Sequence, residues 1–267
     1  MKKNIRELKL SDLENILNKL EEPSYRSRQI FRWLWKERVS SFNQMSNISN
    51  KCKDYLNNNF SIKYTEIDNK IMSNDGTIKF LFKLPDGKKC EGVLIPENQR
   101  ITACVSSQVG CSFSCKFCAT GKMKRTRNIF AFEIYDQVTL MMEEAKKNFD
   151  NYFTNIVYMG MGEPLVNYQN VIESINYIVS KDGLNMSSKR ITVSTVGVSK
   201  MIKKLADDNI KVNLAVSLHS ANNIKRSQIM DINHSNNLDD LRDSLIYFYS
   251  KTKIKITKDT LLDISDT

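Results

Sequence analysis

The chain has 267 residues, 41% of them hydrophobic and 26% charged, enough for one large domain or two smaller ones with real cores. The opening stretch, MKKNIRELKLSDLENIL, carries lysines and acids where a secretory leader needs an apolar run, and no segment reaches the ~18 apolar residues of a membrane span, so a cytoplasmic protein is expected. Net charge is +10, and residues 1–90 hold 18 Lys and Arg against 11 Asp and Glu, which makes a solvated basic surface or a nucleic-acid partner the two readings.

In chain order, Ser11-Asp12-Leu13-Glu14 reads as a capping box opening a first helix to about Leu20. Tyr25 to Glu37 reads as a second, with Ile30, Phe31, Leu34 and Trp35 on one side. Trp33 lies off that stripe, either packed on a neighbouring helix or free to stack on a base beside Arg26, Arg28 and Arg32. Asn50 to Asn58 is a third helix, with Cys52 as a small core residue. Two short strand-like runs follow, Thr77–Leu84 and Lys89–Ile95, bounded by Asn74-Asp75-Gly76 and Pro85-Asp86-Gly87, so an antiparallel meander is expected.

From residue 101 the pattern alternates. Apolar, β-branched runs occur at 101–106, 155–160, 191–196 and 212–219, and 253–257 is a candidate fifth. Helical patterns lie between them at 131–147, 170–180, 200–207 and 238–250. Strand then helix, repeated, predicts an α/β fold: a partial (β/α) barrel of parallel strands with crossover helices, preceded by a small helical domain and the short antiparallel meander. The expected division is 1–60 helical, its basic charge making it the candidate RNA-binding part, 61–97 meander or linker, and 98–267 an incomplete strand–helix core. In such a core the loops after the strands share one rim, and that rim carries the function.

The first of those loops holds Cys111-x-x-x-Cys115-x-x-Cys118. Three thiolates so spaced can hold three corners of a [4Fe-4S] cube and leave one iron without a protein ligand, whereas electron-transfer clusters take four cysteines. The ligand that chelates an open iron through its amino and carboxylate groups is S-adenosylmethionine. Zinc is the rival, with Cys104 as a fourth thiolate. Six cysteines with three clustered fit a metal site better than a disulfide framework. Gly160-Met161-Gly162-Glu163-Pro164 allows close approach of backbone to a ligand beside a carboxylate, and Ser194 and Ser217-Leu218-His219 end later strands. The basic run Lys122, Lys124, Arg125 and Arg127 follows the cysteine loop, and His234 is assigned no role.

The stretches CVSSQVGCSFSCKFCATG, NIVYMGMGEPLVNY, KRITVSTVGV and LAVSLHS occur in that order. The chain thereby resembles the RlmN/Cfr family of radical S-adenosylmethionine RNA methyltransferases, from near residue 1 to about residue 257. The resemblance implies a radical SAM barrel whose cluster ligands match Cys111, Cys115 and Cys118. Gly162, Glu163, Ser194, Ser217, Leu218 and His219 match the S-adenosylmethionine contacts, Glu91 a proton acceptor, and Cys104 the cysteine that resolves a covalent enzyme–RNA intermediate. It also implies an electron donor such as flavodoxin or ferredoxin. The proline of GMGEPL favours the branch that methylates C2 of adenosine 2503 in 23S rRNA, and in some bacteria adenosine 37 of tRNA, over the Cfr-like branch that methylates C8.

Two departures qualify that expectation. No cysteine lies beyond Cys118, so the family's methyl-carrying thiol is absent from this sequence, and residues 258–267 do not resemble the family's continuation into a sixth strand. The readings that follow are an impaired, C-terminally truncated enzyme, an RNA-binding remnant, or one part of a split enzyme.

Overall fold

A computed structural model describes residues 2–98 and 100–259. In chain order its regular elements are β1 (Lys3–Asn4), α1 (Leu10–Lys19), α2 (Tyr25–Trp35), α3 (Asn50–Asn59), β2 (Phe60–Ser61), β3 (Glu66–Met72), β4 (Ile78–Lys83), β5 (Lys89–Glu97) and β6 (Arg100–Cys104). Then come β7 (Gln108–Val109), β8 (Arg127–Asn128), α4 (Ala131–Phe149), β9 (Asn155–Tyr158), α5 (Tyr168–Val179) and β10 (Ile191–Thr195). The remainder is α6 (Ser199–Asp207), β11 (Asn213–Ser217), α7 (Asn223–Ile229), α8 (Leu238–Thr252) and β12 (Ile256–Asp259).

Among the described residues, eight strands form one sheet in the order β12-β11-β10-β9-β6-β5-β4-β3. Strands β6, β9, β10, β11 and β12 are parallel neighbours, while β3, β4 and β5 run antiparallel up to β6. Each parallel strand lies beside its predecessor, which is the winding of a barrel arc, and the arc is open between β12 and β3. The meander thus extends the barrel sheet itself. Its alternation is plain in β4, where Ile78, Phe80 and Phe82 are buried and Lys79 and Lys83 point to water. Strand β3 went unseen in the sequence because it is an edge exposed along most of its length, so burial imposes no period of two on it.

The N-terminal helices pack on α4 and α5. Trp35 stacks edge-on against Tyr135 at 5.1 Å and lies 3.9 Å from the Tyr177 ring. Beneath them Asp136, fully buried, accepts from Arg6 at 2.7 Å, Arg38 at 3.0 Å and the Thr65 N–H at 2.9 Å. Helix α2 stops at Trp35, short of the expected Glu37, because Arg38 takes a left-handed φ of 51°. Helix α1 starts at Leu10, and the box predicted at Ser11 is replaced by Asp12 reaching back to the Lys9 N–H at 2.9 Å. Trp33 is partly buried against the core and donates to Asn47 at 2.7 Å, which favours packing over base stacking. The last strand begins three residues later than expected, since α8 continues to Thr252 and Lys253 closes it with φ 59°. Most of the predicted departure at 258–267 lies outside the described residues.

Candidate active site

Four loops leave the C-terminal ends of β6, β9, β10 and β11, and hydrogen bonds tie all four together. After β6, the Ser107 and Gln108 N–H groups donate to the Met161 carbonyl of the loop after β9 at 2.9 and 3.0 Å. The Glu163 N–H donates to Gln108 Oε1 at 3.1 Å. Glu163 Oε2 accepts from the Val196 N–H beyond β10 at 2.9 Å, and Oε1 from the Leu165 N–H at 3.1 Å. Beyond β11, His219 lies with its ring 3.9 Å from Phe117 of the cysteine loop. Gly162 is required here: its φ is +95°, and a Cβ would fall 2.4 Å from Gln108 Cβ.

Cys115 is buried among Met230, Ile232, Phe113, Phe117 and Ile229, while Cys111 and Cys118 are half-buried in the same loop. Burial pushes the Cys115 thiol up to about 12, and the neighbouring Cys111 and Cys118 add to the rise. Cys111 is raised as well, again chiefly by burial. Thiols so placed ionise only when a cation compensates them, which is what metal ligation supplies. The donor set fits a cube, in which each thiolate takes its own iron. A tetrahedral zinc site would instead need a fourth protein ligand on the same ion as the three thiolates.

Glu163 is buried, and desolvation raises its carboxyl to about 7 despite the bonds from Val196, Thr195 and Leu165. Two backbone donors leave lone pairs free for a cationic ligand. Ser194 is buried within β10, paired with Ala215, and Ser217 ends β11 half-buried. The Leu218 carbonyl accepts from Arg226 at 3.2 Å, and His219 is buried with φ 55°.

The two residues expected to act on RNA are placed differently. The Glu91 backbone is clamped to the rim: its N–H donates to Met161 Sδ at 3.3 Å and its carbonyl accepts from Ser106 Oγ. Its carboxylate, about half exposed, pairs with Lys79 at 2.9 Å. Cys104 ends β6 buried, and burial raises its thiol to about 11. Among the described residues neither side chain bonds to the cysteine loop or to Glu163.

In the basic run, Lys122, Lys124 and Arg125 are exposed. Arg127 is half-buried and neutralised by Asp86 at 2.8 Å and by both oxygens of Glu133, so it is an internal brace. Sequence reasoning missed Gln108 and Arg226. Gln108 Oε1 accepts from the Glu163 and Ser112 N–H groups, and its Nε2 donates to Asn128 at 2.8 Å, so one side chain sets three segments. Its only signal is a lone amide inside the glycine- and cysteine-rich stretch. Arg226 carried no signal at all in the polar run after His219.

Residues 3–62 match the ribosomal RNA large subunit methyltransferase N-terminal domain, and residues 105–259 match the radical SAM superfamily. A protein of Cytophaga hutchinsonii described as a probable dual-specificity RNA methyltransferase RlmN is 51% identical over 96% of this chain and 70% of its own length. A protein of Christiangramia forsetii with the same description is 51% identical over 100% of this chain and 76% of its own. A solved radical SAM methyltransferase from Sphaerobacter thermophilus superposes with a TM-score of 0.87 at 34% identity, covering 99% of this chain and 78% of that one.

Proposed function

The chain belongs to the RlmN-type radical SAM RNA methyltransferases, and on that premise we propose that it acts at C2 of adenosine, in 23S rRNA at position 2503 and in tRNA at position 37. The observation that carries the reading is the three-thiol loop held against the buried Glu163 on one rim. Support for two substrates comes from the dual specificity in the relatives' descriptions.

Cys111, Cys115 and Cys118 would hold a [4Fe-4S] cluster with one iron open to S-adenosylmethionine. Together they supply the one-electron chemistry needed at a carbon that is not nucleophilic. Around that centre this chain's residues have distinct tasks. Glu163 takes the cofactor's ammonium, and Gly162 lets backbone come close. Ser194, Ser217, Leu218 and His219 complete the cofactor's bed. Phe113, Phe117 and Met230 keep water from the cluster. Glu91 accepts a proton from the base, which requires release of its surface pair with Lys79, worth roughly 0–1 kcal/mol. Where a methyl-carrying thiol is supplied and has bonded to RNA, Cys104 would attack that sulfur to release the base and form a disulfide, and its raised thiol needs a nearby base to become nucleophilic. Exposed Lys122, Lys124 and Arg125 meet phosphates while an unstacked adenine enters the rim. A flavodoxin- or ferredoxin-like donor supplies electrons. No helix among the described residues is long and apolar enough to cross a membrane.

The 267-residue polypeptide tested alone has no thiol beyond Cys118 to carry a methyl group. Alone it is expected to bind the cluster and cleave S-adenosylmethionine without modifying RNA. An apolar groove of about 520 Å³ lies beside β12, lined by Leu238, Leu241, Leu245 and Ile256. The test is mass spectrometry of rRNA and tRNA treated with the reconstituted protein, with and without the family's cysteine-bearing C-terminal segment. 2-Methyladenosine appearing only with that segment supports the C2 reading. 8-Methyladenosine refutes the C2 reading, and no S-adenosylmethionine cleavage in either mixture refutes the enzyme reading.

A further inference from the structure

Arg226, on α7, is fully buried. Its Nε donates to the Leu218 carbonyl at 3.2 Å, one terminal nitrogen to Asn233 Oδ1 at 2.6 Å and the other to the Val196 carbonyl at 2.6 Å. All three acceptors are neutral. Among the described residues no carboxylate lies within ion-pair distance of it, whereas the chain's other fully buried arginine, Arg6, is paired with Asp136. A buried cation without a counter-charge is strongly unfavourable, so a fold that keeps one has an anion to set against it.

The surroundings identify that anion. The Met230 N–H closes the last turn of α7 on the Arg226 carbonyl at 2.8 Å, and Met230 packs on Cys115. The Lys116 N–H, next to Cys115, donates to the Ile229 carbonyl at 3.0 Å, so the cysteine loop is laid directly on the end of α7. Burial works against the charge of Arg226, and a negative charge at Cys115 would work in its favour. Val196 is gripped from both sides, by Glu163 on its N–H and by Arg226 on its carbonyl.

We propose that Arg226 is the buried counter-ion of the cluster, a positioning residue that braces the loops after β10 and β11 and favours the reduced state by its charge. The inference rests on the cluster reading above. A cube on three thiolates is net negative and gains one more negative charge on reduction. A fixed cation in a water-poor site therefore lowers the free energy of the reduced state more than that of the oxidised state.

The test uses the anaerobically reconstituted full chain, titrated with dithionite against low-potential dyes, the reduced cluster being followed by electron paramagnetic resonance. Iron and sulfide content and thermal unfolding are measured on the same samples. In Arg226→Gln the reduction equilibrium is expected to worsen about tenfold, a midpoint about 59 mV more negative. Arg226→Lys, with the charge kept, is expected to stay within about threefold of the parent. Asn233→Ala, which removes one brace and no charge, is expected to unfold at lower temperature with its midpoint unmoved. An unchanged midpoint in an iron-loaded Arg226→Gln protein overturns the proposal. Should that variant not fold, a tenfold shift in Arg226→Lys overturns it. Failure of the parent chain to bind iron would refute the cluster reading instead, so the two failures are distinguishable.

Discussion

Replacing Glu163 by Gln isolates the one carboxyl buried at the heart of the site. Desolvation raises that group from 4.5 to about 7, and at ~1.36 kcal/mol per unit the folded state favours its protonated form by about 3 kcal/mol. The sign follows from proton binding. Between pH 4.5 and 7 the folded cofactor-free protein holds a proton that the unfolded chain has released. Stability from this group is thus complete below 4.5, falls as pH rises, and is lost above 7. Glu163→Gln removes that slope. It also carries a pH-independent cost of about 1–3 kcal/mol, because an amide cannot accept from both the Leu165 and Val196 N–H groups as the carboxyl does. Glu133, raised by burial as well, contributes equally to both proteins and cancels in the difference. Urea unfolding of the two cofactor-free proteins from pH 5 to 8 is the assay, and parallel stability curves would refute the reasoning. Adding S-adenosylmethionine to the parent protein should flatten its slope, since an ammonium group favours the ionised carboxylate.

Three further outcomes follow from particular contacts. Alanine at Cys111, Cys115 or Cys118 should abolish iron binding, whereas Cys104→Ala should retain it; iron loss in the latter, measured by metal analysis, would revive a four-thiolate site. Gly162→Ala forces a Cβ into Gln108 at φ +95° and should destabilise by roughly 1–3 kcal/mol, read as a lower thermal midpoint, with an unchanged midpoint counting against it. Asp136→Ala strands the buried Arg6 and should cost about 3–5 kcal/mol in urea unfolding; a loss below about 1 kcal/mol would mean that the N-terminal helices are held by packing alone.

The fold class was legible because strand and helix periods differ, and from residue 101 the chain switches between them with few ambiguities. The cysteine loop stands out in the sequence because its three cysteines lie within eight consecutive residues. Strand β3 was not legible, since an exposed edge needs no alternation. Neither was the role of Arg127, where an exposed basic run and an internal brace look alike until Asp86 and Glu133 are seen beside it.

Local chemistry alone thus set apart the clustered cysteines, the glycine beside Glu163 and the alternation of strand and helix from residue 101. Which groups share a charge environment was decided only by tertiary packing. Arg226 is distant in sequence from Cys115, and Glu163 from Val196, yet α7 and the β10 loop bring them to one rim. Desolvation there turns an ordinary carboxyl into one raised to about 7, and an ordinary arginine into a buried cation held by neutral oxygens alone among the described residues. Burial is a property of the assembled sheet and helices, and no stretch of residues carries it by itself.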